Sequence, residues 1–389
     1  MEKNQVFQDI SLIYGKFTEQ FFFQVRELIV HTLTFIEKQL IDISDHPNLK
    51  EYFHRLFSND IIKNIEQIKN ISQESLLTLL YYYSEFLSNI VDIIKPFEPS
   101  LTKSLFYDIF LPSLFSEKLL KSMDFDVFIK NNGSILSIEN VVEEIQELNY
   151  KSVFLLFPPL LSDETIWENN YQNHTTIDNL LKNNNIYTIK FQLDPTKTLQ
   201  ENGQILYSKL KDIFDKLNKK IQFNILAFST GNYIIRYLIN YYNDFFINKI
   251  HNIIMINSPE LGIKLERLIL WAGVLYKYDP KISIKILKIL TEEKFKIVND
   301  FDNNILFSKQ FLEKEKEIFK QYKINKIYSL IAENNSMWSP WLGDGLIEEQ
   351  SLSFHNEVIS EKNISIINGT SYLQIIPSAE LRNILHQLI

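Results

Sequence analysis

Cysteine is absent from this 389-residue chain. That removes disulfide frameworks and cysteine-ligated metal, and it suits a reducing, cytoplasmic setting. Glycine is scarce, at nine residues. Five of them, Gly231, Gly262, Gly343, Gly345 and Gly369, each follow an apolar run. Glycine concentrates where a chain must turn or let a ligand approach, so this pattern picks out one end of a sheet. No stretch reaches the roughly 18–20 apolar residues that a membrane-spanning helix needs. The opening Met-Glu-Lys-Asn-Gln is not a basic segment leading into an apolar one, and a secretory signal is not expected. A basic stripe is missing too: lysines alternate with acids and the net charge is −8, which argues against a nucleic-acid partner. Of the seven histidines, His31, His46, His54 and His251 show no metal-ligand spacing. Neither a metal nor a cofactor is expected.

What is present is apolar and aromatic. The chain is 45% hydrophobic, with 29 Phe and 19 Tyr, enough for a sizeable core. Residues 1–122 read as a helical N-terminal region, because Phe17, Phe21, Val25, Leu28 and Ile29 recur at helical spacing, as do Ile61, Ile65, Ile68 and Ile71. These helices suit a bundle or cap. Their aromatic faces leave open a peripheral membrane or protein contact. From about residue 123 the rhythm changes. Short β-rich runs at 125–130, 152–157, 186–191, 221–228, 252–257, 326–332 and 363–368 alternate with helical stretches. Most internal runs are continuously apolar, as strands buried on both faces should be. The pattern predicts an α/β domain over 123–389: a mostly parallel, doubly wound sheet with a helical cap inserted at about 263–322.

The most informative string is Phe223-Asn224-Ile225-Leu226-Ala227-Phe228-Ser229-Thr230-Gly231-Asn232. An apolar run ends in small-x-Ser-x-Gly and passes into a helical pattern. That is the strand–turn–helix context of a nucleophile elbow, with Ala227 where the first glycine usually stands. The turn is tight, so small residues flank the serine, and the helix start directs N–H groups at developing negative charge. In doubly wound sheets, chemistry gathers beyond the carboxyl ends of the strands. Those ends carry Pro158, Pro159, Leu160 and Leu161; Ser229; Ser258, Pro259, Glu260, Leu261 and Gly262; Gly343-Asp344-Gly345; and Gly369, Thr370, Ser371 and Tyr372.

In that order, the chain resembles a bacterial α/β-hydrolase of the lipase/esterase type. Asn257-Ser258-Pro259-Glu260-Leu261-Gly262 resembles a Gly-Thr-Pro-His-x-Gly turn. Gly343-Asp344-Gly345-Leu346-Ile347 resembles a Gly-Asp-Gly-Leu-Val loop. Leu199-Gln200-Glu201-Asn202-Gly203 resembles a Ser-Glu-Asn-Gly segment, and Ser371-Tyr372-Leu373-Gln374-Ile375-Ile376 resembles Asn-His-Leu-Asp-Leu-Leu. The resemblance implies an α/β-hydrolase fold, Ser229 as nucleophile, Asp344 as triad acid and the Thr230 N–H as an oxyanion donor.

Two departures bear on chemistry. Tyr372 stands where the resemblance implies the triad histidine. A serine needs a base that takes its proton near neutral pH; imidazole titrates near ~6.5 and a phenol near ~10. The second departure is Phe157-Pro158-Pro159, where relatives have His-Gly. If Pro159 is the donor position, no N–H exists there; a register one residue on makes Leu160 the donor. His355 and His174 are the candidate substitute bases. Trp338 and Trp341, flanking Pro340, are loop anchors or aromatic pocket walls, with Phe157 nearby, and His386 is expected to pack in a terminal helix. Three readings follow: a degenerate hydrolase that binds a small acyl or lipid-like ligand, an active serine carboxylesterase or lipase with a non-standard base, and a protein-binding scaffold.

Overall fold

The computed structural model describes residues 128–131, 134–159, 164–168, 175–217, 220–263, 296, 300, 305–330, 343–370, 372, 375–376 and 378–389. They fall within one compact unit made of Ile94–Lys264 and Glu292–Ile389. The expected N-terminal helices at 1–122 and most of the expected cap lie outside the described residues.

Eight strands form one sheet: β1 (Phe128–Asn131), β2 (Ser134–Ile135), β3 (Ser152–Phe157), β4 (Tyr187–Gln192), β5 (Gln222–Phe228), β6 (Ile250–Ile256), β7 (Ile324–Leu330) and β8 (Ile364–Asn368). Their order is β2-β1-β4-β3-β5-β6-β7-β8. The strands from β4 to β8 along that order run parallel, and β1 is antiparallel to both of its neighbours. This is the α/β-hydrolase fold. The run expected at 125–130 overlaps β1, but β2 was not foreseen; a two-residue strand is too short to leave a periodic signal.

The helices are α1 (Ile138–Glu147), α2 (Ile177–Asn183), α3 (Leu199–Lys216), α4 (Gly231–Tyr241), α5 (Asn243–Phe246), α6 (Lys309–Phe319), α7 (Glu349–Ser353) and α8 (Ala379–Leu388). Side chains of Ser137, Thr176, Thr198, Ser308 and Ser378 accept from the first-turn N–H groups of α1, α2, α3, α6 and α8. These caps satisfy donors that a helix start otherwise leaves orphaned. Helices α2 and α8 cover one face, where Ile177, Leu181, Leu381 and Leu385 meet Phe154, Leu156, Leu226, Phe228, Ile254 and Ile256. Helix α3 packs against both α1 and α4, and α4 also packs on α6. Helix α6 falls inside the stretch expected to be a cap. It lies between β6 and β7 in the chain and is held on α4 by a buried ion pair.

The chain goes from β3 outward to β4, then returns past β3 to β5. Chain direction across the sheet therefore reverses between β3 and β5. Their carboxyl ends, at Pro158 and Ser229, border the crevice that such a reversal opens.

Candidate functional site

Ser229 follows β5 directly with φ of 52°, in the left-handed region that a non-glycine residue rarely adopts. Holding it there costs about 1–3 kcal/mol, which the surroundings must over-determine. Its N–H donates to the Ile256 carbonyl at 2.8 Å, and its carbonyl accepts from Asn232 N–H at 2.9 Å. The Asn232 amide reaches back to the carbonyls of Ser229 at 2.9 Å and Ile256 at 3.2 Å, clasping the turn between two strands. Gly231 has no room for a side chain: a Cβ there would lie 2.5 Å from the Pro158 oxygen and 2.6 Å from the Phe157 oxygen. The x-Ser-x-Gly pattern thus has a local cause, the contact of the elbow with the end of β3. Ser229 is fully buried, and its Oγ completes no hydrogen bond with any described residue.

Asp344 sits in the loop after β7, between Gly343 (φ 56°) and Gly345 (φ 98°), and is fully buried. Its Oδ1 accepts from the N–H groups of Leu346 at 2.9 Å and Ile347 at 2.6 Å. Its Oδ2 accepts from the Asn257 amide at 2.9 Å. Asn257 is itself left-handed, with φ of 41° at the end of β6. Its amide nitrogen also donates to Ser329 Oγ at 2.9 Å, and its amide oxygen accepts from Ser329 N–H at 2.8 Å. Sequence reasoning named the turn but missed this role. The available signal was a non-glycine residue at a position where the resembled motif has glycine.

Tyr372 is tied to that loop by its N–H, which donates to the Asp344 carbonyl at 2.8 Å. Its ring stacks on Phe228, with centroids 5.0 Å apart. Burial pushes the phenol above the usual tyrosine range. Contact with the Ser229 hydroxyl offsets part of the rise, and the Asp344 charge adds to it. The fold therefore brings Ser229, Asp344 and Tyr372 together.

The remaining expected residues divide. Thr230 is buried at the head of α4, where its N–H belongs to the first helical turn. Pro159 is described and offers no N–H. Leu160, His174, Trp338 and Trp341 lie outside the described residues. Phe157, expected at the pocket, is fully buried and stacked on Phe191 at 4.8 Å, which places its ring in the core. His386 is exposed on α8 rather than packed.

His355, expected as a substitute base, is placed elsewhere. It is fully buried, with Nδ1 3.3 Å from Glu260 Oε2 and Nε2 3.3 Å from Glu315 Oε2. The rings of Phe319 and Phe354 lie 4.7 and 4.9 Å away. Both ring nitrogens thus face carboxylates and not the Ser229 hydroxyl. Around it, Lys326 Nζ pairs with Glu260 at 2.6 Å, and Arg236 forks onto Glu315 at 2.7 and 2.9 Å. Glu260 occupies the histidine position of the resembled Thr-Pro-His turn. Burial alone would raise its carboxyl, but Lys326 and His355 beside it prevail and hold it at about 2.

No protein-family model matches the chain, and no curated protein does. Among solved structures, the chain is similar to mature lipase BlEst2 of Bacillus licheniformis, at 14% identity and a TM-score of 0.41 over 61% of this chain and 92% of that one. It is similar to a bromoperoxidase of Bacillus anthracis, at 13% identity and a TM-score of 0.39 over 61% and 91%. A soluble variant of monoglyceride lipase from Saccharomyces cerevisiae gives 10% identity and a TM-score of 0.39 over 61% and 84%. Likeness of this degree assigns no residue a role. No helix among the described residues is long and apolar enough to cross a membrane.

Proposed function

We propose that this protein is a degenerate hydrolase: it keeps the serine-hydrolase pocket, binds an acyl or otherwise apolar ligand there, and turns over esters weakly or not at all. One observation carries the reading. The group beside the buried Ser229 hydroxyl is the Tyr372 phenol, pushed above its ordinary range by burial, and not an imidazole. Attack by serine needs a group that receives its proton and returns it to the leaving group. A phenol raised above its usual range has its proton already and does not accept a second near neutral pH. If Pro159 is the donor position, the oxyanion side is weakened as well, since proline contributes no N–H and one such donor is worth roughly 10²–10³ in rate; with Leu160 as the donor it is not. The Asp344 carboxylate accepts from two loop N–H groups and the Asn257 amide.

The test is turnover of short-chain p-nitrophenyl esters by the purified chain. The expected result is a rate no higher than that of Ser229→Ala, and no labelling of Ser229 by a fluorophosphonate. Robust turnover that disappears in Ser229→Ala overturns the proposal in favour of a second reading, an active carboxylesterase. That reading draws support from the elbow itself, because the strained φ of Ser229 is retained. Ser229 would then attack, Asp344 would orient, Thr230 N–H would bind the oxyanion, and His174 would serve as base.

A further inference from the structure

We propose that Asn368-Gly369, where β8 ends, is a site of spontaneous covalent modification in the folded chain. The Asn368 amide converts to aspartate and isoaspartate, whereas the same dipeptide at Asn202-Gly203 is held inert by the fold.

The chemistry needs only the dipeptide and water. The Gly369 backbone nitrogen attacks Asn368 Cγ and forms a C–N bond. The side-chain nitrogen leaves as ammonia, taking the former Gly369 amide proton. Water then opens the five-membered imide. Addition at Cγ gives aspartate, and addition at the Asn368 backbone carbonyl gives isoaspartate, in which the main chain runs through the side chain. Glycine in second place removes the side chain that would crowd the attacking nitrogen. The asparagine side chain must also swing over that nitrogen, so burial and side-chain hydrogen bonds oppose the step.

The chain has three Asn-Gly pairs, of which Asn132-Gly133 lies outside the described residues. Asn202-Gly203 lies within α3, and both residues are buried. The Asn202 amide nitrogen donates to the carbonyls of Asp194 at 2.9 Å and Thr198 at 3.0 Å, and its oxygen accepts from Asp194 N–H at 2.9 Å. Its glycine serves packing, since a Cβ at Gly203 would lie 2.4 Å from the Tyr237 ring. Asn368 differs on each count. It is exposed, and it is the last residue of β8, which ends the strand order of the sheet. Gly369 follows with φ of 66°, turning the chain out of the strand. Thr370 N–H then donates to the Leu330 carbonyl at 3.1 Å. The end of an edge strand opens at low free-energy cost, so local motion brings the nitrogen onto Cγ without global unfolding. Either product adds a negative charge at the end of β8. Isoaspartate also inserts one backbone atom before the segment that Tyr372 N–H ties to the Asp344 carbonyl.

The experiment ages the full chain at pH 8 and 37 °C, native and in guanidinium chloride, and follows it by tryptic mass mapping. Peptides 198–209 and 363–382 carry the two pairs separately. Electron-transfer fragmentation locates the mass gain of amide-to-acid exchange and distinguishes isoaspartate. In the native chain Asn368 should react at least about 10-fold faster than Asn202, and in guanidinium chloride the ratio should fall towards one. In Asn368→Gln the gain in peptide 363–382 should disappear, because glutamine closes a six-membered ring far more slowly; circular dichroism checks that this variant folds. A native ratio below about 10, a ratio that guanidinium chloride does not lower, or a gain that persists in Asn368→Gln would each overturn the proposal.

Discussion

At the scale of single residues, the site turns on which groups can exchange a proton. Tyr372 stands where the resemblance implies a base, stacked on Phe228 and hydrogen-bonded through its backbone N–H to the Asp344 carbonyl. Replacing it tests whether the rest of the site is competent. Tyr372→His should raise p-nitrophenyl ester hydrolysis above the parent, and the gain should vanish in the Ser229→Ala, Tyr372→His double variant. No gain would mean that the missing base is not what limits the site. Asn257 is the residue whose importance only the folded chain reveals. Its amide joins Asp344, Ser329 and the end of β6 in one buried network. Asn257→Ala leaves Asp344 Oδ2 and the Ser329 N–H each short a partner and places alanine at a left-handed φ. It should destabilise the fold by about 2–4 kcal/mol, read from the denaturant midpoint. Ser229, Asp344 and Tyr372 were legible because each lies in a short string with a steric signature. Asn257 was not, because its partner Asp344 is 87 residues away.

At the scale of elements, strands and turns follow from local rules. Residues in β3 from Val153 to Phe157 are buried and read as a continuous apolar run, whereas β4, also buried throughout, alternates apolar residues with Thr188, Lys190 and Gln192. Boundaries were less legible: β6 starts at Ile250 and β7 at Ile324, each two residues before the sequence runs suggested. Helix α3 opens with a reciprocal cap, in which Thr198 accepts from Glu201 N–H and Glu201 accepts from Thr198 N–H. Thr198→Ala should cost about 1 kcal/mol in thermal or denaturant unfolding. A far larger effect is expected one helix on. In Gly231→Ala the new methyl meets the backbone oxygens of Phe157 and Pro158, which cannot rotate away as a side chain would. The elbow must then separate from β3, at a cost of about 3 kcal/mol or more, measurable as a lowered unfolding midpoint. A variant as stable as the parent would show that the contact is not tight.

At the scale of the whole molecule, the stretches after β6 and β7 are joined to α4 through buried charge. Arg236 on α4, Glu315 on α6, Glu260 after β6, Lys326 on β7 and His355 after α7 are all fully buried. Such pairs add little over apolar packing, yet breaking one strands a charge in the interior. Arg236→Ala should therefore destabilise by about 3–5 kcal/mol. The cluster also sets the response to acid. The Glu260 carboxyl titrates at about 2 in the folded chain, below its ordinary 4.5. A depressed folded value means that its contribution is complete above the unfolded value and is lost as pH falls from about 4.5 towards 2. The chain should accordingly lose stability across that window, and Glu260→Gln, already less stable at pH 7, should lose less of its remaining stability there. Equal acid sensitivity in both proteins would show that Glu260 does not carry the effect.

The amino-acid sequence by itself determined the alternation of buried strands with amphipathic helices and the tight strand–turn–helix around Ser229. These depend on neighbours within a few residues: apolar runs, small flanking residues, a proline without an N–H. Only the tertiary structure decided which polar groups meet. It put His355 between Glu260 and Glu315, and gave Asp344 to Asn257, because a buried charge or amide takes the partner that chain topology delivers.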